Sequence, residues 1–147
     1  MPARAAFDIL MLAPVDAAAR TAVTCQDLCA AAAYRLTGAA ALPHGQESDV
    51  QRLLKDVTQT SVTLASAQAE WLRALVGSED WQMLKKARTA VTHRDIESLS
   101  ILSTSAPVTS LVLDGIPYDN VDLSRRFAQF AEVQFDSYAD AVLSGFP

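Results

Sequence analysis

The sequence predicts an all-α protein: an antiparallel bundle of four to five helices with a short β-hairpin-like excursion before the last helix. Apolar residues recur at three- and four-residue steps over long segments, as one face of a helix requires. Only 5 Gly and 6 Pro occur in 147 residues, too few for a many-turned β protein. The segments between the periodic stretches are short, except for residues 98–118, where Ser, Thr and Pro are frequent and where we expect an ordered excursion. Long helices joined by short turns pack most simply as an antiparallel bundle.

Composition and charge narrow the class of protein further. Half of the residues are hydrophobic, so the chain can bury a core, and its length suits one helical-bundle domain over residues 1–147. The net charge of -5 disfavours a protein coated with positive charge for nucleic acid, although it leaves room for a local basic site. No segment reaches the about eighteen apolar residues that cross a bilayer. We therefore expect no membrane partner and a cytoplasmic location.

The N-terminal part predicts two helices separated by a proline. The first covers residues 3–13, and we expect Pro14 to end it because proline lacks an N–H and clashes with the preceding turn. The second runs from an N-cap at Asp16 to Gly38 and is rich in alanine, the residue of highest helix propensity.

Two cysteines lie in the second predicted helix. Cys25 and Cys29 are four residues apart, so a disulfide between them would close almost no loop. With only two histidines in the chain, no second ligand pair completes a zinc site. We expect small buried thiols, no metal and no cofactor.

The middle of the chain predicts two more helices. A long one begins with a capping-box pattern at Ser48 and ends at Gly77. After a short turn, a fourth helix carries Glu79 and Asp80 in its first turn, as the helix dipole prefers, and ends near His93 or Asp95.

The last third predicts a hairpin and a final helix. The segment 110–117 is typical of a short strand followed by a turn at Asp114 and Gly115. The last helix begins around Asn120 and ends by Gly145. Its predicted apolar face consists of Leu123, Phe127, Phe130, Ala131, Phe135, Tyr138 and Val142.

One segment, residues 81–94, concentrates groups that could carry chemistry. The chain has no P-loop, no Gly-rich dinucleotide turn, no Gly-x-Ser-x-Gly elbow and no His-Glu-x-x-His pair. The segment holds one of the 2 histidines and four of the 12 basic residues. These five residues are Lys85, Lys86, Arg88, His93 and Arg94.

Helix geometry separates the residues of this segment. Arg88 is predicted to lie along the apolar edge of the helix, where a charge needs an anion, a carboxylate partner or an interface. Thr89 and His93 share a neighbouring flank with Lys85. Arg88 and His93 diverge by about 140° on an ideal helix, so they converge only where the helix frays or a second subunit supplies the partner. A structural role fits as well, since cations in a last turn complement the helix dipole and Arg88 could pair with a neighbouring helix.

The stretch Arg88-Thr-Ala-Val-Thr-His93 resembles the signature of HEPN domains (higher eukaryote and prokaryote nucleotide-binding), in which four to six residues separate an Arg from a following His; here four do. HEPN domains are small helical bundles of toxin–antitoxin and phage-defence systems. The order of elements over residues 48–145 is also similar, with an irregular segment before an amphipathic C-terminal helix. Catalytic members commonly have Asn, Asp or His directly after the Arg, where this chain has Thr89.

The resemblance implies a metal-independent endoribonuclease that acts as a homodimer, with two copies of the motif lining a cleft between subunits. It implies that His93 exchanges protons with the ribose 2′-hydroxyl or the leaving oxygen, since histidine titrates near neutral pH. Arg88 would hold the scissile phosphate. The residues that would contact RNA are Lys85, Lys86, Thr89, Thr92 and Arg94.

A bundle of the same kind without catalysis is the alternative. It would serve as a dimeric scaffold, a module that binds a cognate antitoxin or another protein, or a small-nucleotide sensor. The enzyme predicts two motifs that face each other across a groove. The binding module predicts Arg88 in a salt bridge and His93 facing no open cleft.

Overall fold

The computed structural model describes the backbone of residues 2–37, 49–93 and 110–146 and the side chains of residues 12–37, 49–91 and 110–146. These residues contain five α-helices and one two-stranded antiparallel sheet. The predicted helical class, with a hairpin before the last helix, is confirmed. In chain order the elements are α1 (Pro2–Leu36), α2 (Val50–Thr58), α3 (Ser66–Gly77), α4 (Glu79–His93), β1 (Ser110–Leu113), β2 (Ile116–Asp119) and α5 (Asn120–Leu143).

The chain divides into two compact units. Unit 1 consists of Met1–Ala22 and Glu79–Phe130, and so includes the start of α1, all of α4, the hairpin and the start of α5. Unit 2 consists of Val23–Ser78 and Ala131–Pro147, and so includes the rest of α1 and α5 together with α2 and α3. The assignment of residues 1–147 to one domain stays a prediction.

Helix α1 continues through Pro14, so the predicted stop at this proline is wrong. Pro14 is exposed, whereas Leu12 and Val15 on either side of it are buried. Burial of these apolar neighbours and the helix propensity of the alanines that follow offset the missing hydrogen bond. The two predicted N-terminal helices are therefore one. Gly38, the predicted end of the second, lies outside the described residues.

The prediction of one long helix ending at Gly77 is also wrong, because the chain forms two helices there, α2 and α3. Thr60 adopts a left-handed backbone with φ of 60°, which ends a helix. The N–H groups of Ser61 and Val62 then donate to the carbonyl of Asp56 at 2.9 and 3.3 Å, closing the end of α2. Residues 57–63 are rich in Thr and Val, whose branched side chains weaken a helix.

The N-terminus of α2 has its cap one residue later than predicted. Asp49 is the N-cap, and its carboxylate accepts a hydrogen bond from the backbone N–H of Arg52 at 2.7 Å. The carboxylate of Asp27 in α1 accepts from the N–H of Val50 at 3.2 Å, which ties α2 to α1 within unit 2. Ser48, the predicted cap, lies outside the described residues.

Aromatic packing organises the core of unit 2. The rings of Trp71 and Tyr138 have centroids 4.7 Å apart, and the indole N–H of Trp71 donates to the carbonyl of Gln134 at 3.3 Å. Tyr138 donates its hydroxyl proton to Oε1 of Gln68 at 3.5 Å. Cys29 is buried, as predicted, whereas Cys25 is only half-buried, so the prediction of a buried thiol is wrong at Cys25; both cysteines are free.

Most of the predicted apolar face of α5 is buried. Leu123, Phe127, Phe130 and Tyr138 lie in the core. Phe135 is 53% exposed, so its assignment to the core is wrong. On an ideal helix it lies about 60° round the axis from Tyr138, towards the solvent side. None of the described helices is long and apolar enough to cross a membrane.

Candidate nucleic-acid interface

Helix α4 presents the basic segment singled out in the sequence. Only Ser78 separates it from α3, and Glu79 and Asp80 lie in its first turn, as predicted. Asp80 accepts a hydrogen bond from Nε of Arg126 at 2.5 Å, which fixes the start of α4 against α5 within unit 1. Among the α4 side chains that the structure describes, those of Trp81, Met83, Leu84, Ala87 and Ala90 are buried.

The β-hairpin packs beside this helix. Its two strands pair antiparallel, and Asp114 and Gly115 form the turn with φ of 52° and 78°. Positive φ at both central residues is the geometry of the tight turns preferred in two-residue hairpins, for which Asp-Gly is a strong signal, so the predicted turn is confirmed. Leu111 and Leu113 of β1 are buried, and β1 contacts α4.

An open groove of about 380 Å³ lies between α4 and the hairpin; we refer to it as the α4 groove. The α4 residues in its lining recur at steps of three and four and therefore share one face of the helix. Its volume falls within the range of ordinary ligand sites. The groove is lined by Gln82, Lys85, Lys86, Thr89, Ala90, Leu113 and Asp114.

The two lysines that line the groove differ in whether they already have an ionic partner. Lys86 donates a hydrogen bond to the Asp114 carboxylate in the hairpin turn. Both side chains of this pair are exposed, so it contributes at most about 1 kcal/mol to stability. Lys85 is half-buried and forms no ion pair with any residue that the structure describes. Lys85 and the exposed Thr89 together offer an ammonium and a hydroxyl to one anionic group such as a phosphate.

Arg88 lies apart from the groove lining. Its side chain is exposed, contrary to the prediction that it borders the buried face, although the buried Leu84 and Trp81 precede it by four and seven positions on the same edge of the helix. On an ideal helix Arg88 lies about 130° round from the centre of the groove face. It has no ion pair within the described ranges of the chain.

The remaining predicted site residues lie at the end of α4. His93 is its last residue and follows Thr89 by four positions, so its backbone position is on the groove face of the helix. The side chains of Thr92 and His93, and all of Arg94, lie outside the described residues. Their roles stay predictions.

Sequence reasoning missed the contributions of Gln82, Leu113 and Asp114 to the groove. Asp114 was recognised as a turn residue, but Lys86 and Asp114 are 28 positions apart, and no local pattern indicates which helix a hairpin packs against. Gln82 shares the helix face of Lys85 and Lys86, a signal that helix spacing alone could have provided.

Comparison with models of protein families finds no match, and comparisons with curated proteins and with solved structures find none either. In the part of the chain that the structure describes, no three His, Cys, Asp or Glu side chains are placed to hold a metal ion.

Proposed function

We propose that this protein is an HEPN-like endoribonuclease that binds the RNA backbone along the α4 groove and cleaves it at a site completed by a second copy of the chain. One observation carries this proposal: a single face of α4 supplies Lys85, Lys86 and Thr89 to the same groove, and the backbone position of His93 continues that face. The helical fold with a hairpin before the last helix is compatible with the predicted family.

Binding would begin with electrostatic attraction at the groove. The ammonium of Lys85 attracts a phosphate, and Thr89 donates a hydrogen bond to one of its oxygens. Lys86 can contribute once its contact with Asp114 is exchanged for one with RNA, an exchange between exposed partners that costs little. Because the chain as a whole carries a charge of -5, binding is weak away from this groove and sensitive to salt.

Cleavage would need Arg88 and His93 from different copies. Within one copy the two positions diverge by about 140°, whereas the exposed Arg88 is available to a neighbouring molecule. His93 of one copy removes the proton of the ribose 2′-hydroxyl, and the 2′-oxygen attacks phosphorus. The bond from phosphorus to the 5′-oxygen breaks, giving a 2′,3′-cyclic phosphate; the leaving oxygen takes a proton from water, and the hydroxide so formed takes the proton that His93 removed. Arg88 of the other copy stabilises the negative charge on the phosphoryl oxygens.

A module that binds RNA without cleaving it is the second candidate. One observation favours it: Thr89 occupies the position after Arg88 where catalytic members commonly have Asn, Asp or His. In this case Lys85 still governs RNA affinity, and His93 has no effect on the RNA.

Cleavage of labelled RNA in buffer with EDTA tests the proposal. We expect the wild-type chain to cleave, and His93→Ala and Arg88→Ala to cleave at least about 100-fold more slowly, since a positioned acid–base group contributes about that factor or more. Arg73→Ala removes an exposed arginine of α3 and should leave the rate unchanged. Lys85→Ala should raise KM more than it lowers kcat, because Lys85 binds the phosphate backbone and does not act in the chemical step.

The outcomes separate the two candidates. Equal activity of the wild type, His93→Ala and Arg88→Ala excludes the proposed chemistry. Absence of cleavage together with RNA binding that is lost in Lys85→Ala identifies the binding module instead.

A further inference from the structure

The C-terminal half of α5 exposes a row of apolar side chains. Phe135, Ala139 and Leu143 follow one another at four-residue steps and therefore form one ridge on the helix surface, which we call the apolar ridge. Phe135 is 53% and Leu143 is 67% exposed, and Phe146 just beyond the helix is 62% exposed. Large apolar side chains exposed together in this way mark an interaction surface more often than scattered single ones do.

A row of carboxylates runs parallel to the apolar ridge. Glu132, Asp136 and Asp140 are all exposed and also follow at four-residue steps; we call them the acidic ridge. None of the three forms an ion pair with the described residues of the chain. Asp140 lies in the last turn of α5, where the helix dipole disfavours a negative charge and where no basic residue is present. Within the described part of the chain, three negative charges are thus uncompensated beside an exposed apolar row.

We propose that these two ridges are the docking surface for an amphipathic helix of another protein, with a row of leucine-like side chains flanked by Lys or Arg. The groove between two ridges of i±4 spacing accepts a ridge of an incoming helix, the commonest mode of helix packing. The apolar row of the partner packs against Phe135 and Leu143. Its cations face the acidic ridge, which supplies the charge complementarity that selects a basic partner.

A second copy of this chain is a poor occupant of the same surface. The sequence has no Lys or Arg from residue 127 to residue 147, so two copies of this part of α5 would bring carboxylates together without a cation on either side. The proposal does not depend on RNA chemistry, because it concerns α5 residues of unit 2 alone.

The test measures binding of two labelled helical peptides to the full-length chain by fluorescence anisotropy. The first peptide carries a leucine ridge beside a lysine ridge, and the second has glutamate at every lysine position. We expect the lysine peptide to bind at least about tenfold more tightly than the glutamate peptide. Asp136→Lys and Phe135→Ala should each weaken binding of the lysine peptide about tenfold.

Matched variants control for net charge and for exposed apolar area. Glu70→Lys reverses an exposed carboxylate of α3, and Leu28→Ala removes an exposed leucine of α1; neither should change the affinity. All four positions are exposed, so unchanged circular dichroism and Tm are expected and verify the fold.

Two results would overturn the proposal. One is equal affinity for the two peptides, or equal losses in Asp136→Lys and Glu70→Lys, because binding would then not depend on the acidic ridge. The other is a wild-type oligomer that Phe135→Ala converts to monomer, which would make a second copy the occupant.

Discussion

Three buried side chains of unit 2 retain their protons more strongly in the folded chain than in the unfolded one. Burial raises the pKa of the Cys29 thiol to about 12, with a smaller contribution from the charge of Cys25. Burial likewise raises the pKa of Tyr138 to about 12, with a smaller contribution from Cys29. The pKa of Tyr34 is raised by burial and then by its 2.5 Å hydrogen bond to the Asp56 carboxylate. Each group is neutral when protonated, so the fold favours the neutral form.

These shifts predict that alkaline pH destabilises the protein. In the unfolded chain a thiol loses its proton near 9.0 and a phenol near 10.0, whereas Cys29 and Tyr138 in the fold retain theirs to about 12. Their contribution to stability is complete below the unfolded pKa values and is lost as the pH rises towards the folded ones. Urea unfolding at a series of pH values should therefore give a free energy of unfolding that falls above about pH 9.

Removing one of the phenols provides the control. Tyr138→Phe should flatten the fall above about pH 10, where the unfolded phenol ionises. A free energy of unfolding that stays constant or rises between about pH 9 and pH 11 would contradict the assigned shifts.

At the scale of elements, local sequence signals predicted those features that depend on the backbone of a few neighbouring residues. The turn at Asp114 and Gly115, the start of α4 at Glu79 and the start of α5 at Asn120 are examples. The prediction was wrong where packing outweighs a local rule, as at Pro14, whose exposed ring leaves the buried neighbours of α1 in place.

The candidate site was predictable to a similar extent. Helix spacing places Lys85 and Thr89 on one face of α4, because that depends on the helix alone. It does not place Asp114 beside Lys86, because that contact depends on where the hairpin packs. It also did not predict that Arg88 is exposed, because whether a position on the apolar edge is covered depends on how other elements pack there and not on helix spacing.

Two glycines test the backbone account of these elements. Gly115 has φ of 78°, a conformation that costs an L-residue about 1 kcal/mol or more, whereas Gly77 is helical at the end of α3. A Cβ added at either position meets no atom within 4 Å, so the two substitutions differ in backbone conformation and not in sterics. Gly115→Ala should lower the free energy of unfolding by about 1 kcal/mol, and Gly77→Ala should raise it by about 0.5 kcal/mol.

Urea denaturation of the two variants alongside the wild type measures both changes. The same sign for the two substitutions would show that the hairpin turn does not hold Gly115 in a left-handed backbone.

At the scale of the whole molecule, an acidic chain carries a small cationic groove. The charge of -5 disfavours adhesion to nucleic acid over most of the surface, whereas Lys85 and Lys86 concentrate positive charge on one face of α4. The docking surface on α5 follows the opposite principle, since its three carboxylates favour a basic partner. The two surfaces therefore differ in the sign of charge that they select.

The most direct test of the central claim mixes two inactive variants. If Arg88 of one copy acts with His93 of the other, each dimer has two such sites. A dimer of one Arg88→Ala chain and one His93→Ala chain keeps both residues at one of its two sites. Random mixing yields half mixed dimers, so we predict recovery of about a quarter of the wild-type rate of RNA cleavage from two variants that are each inactive alone. No recovery, with mass measurements showing that mixed dimers form, would contradict a site shared between copies.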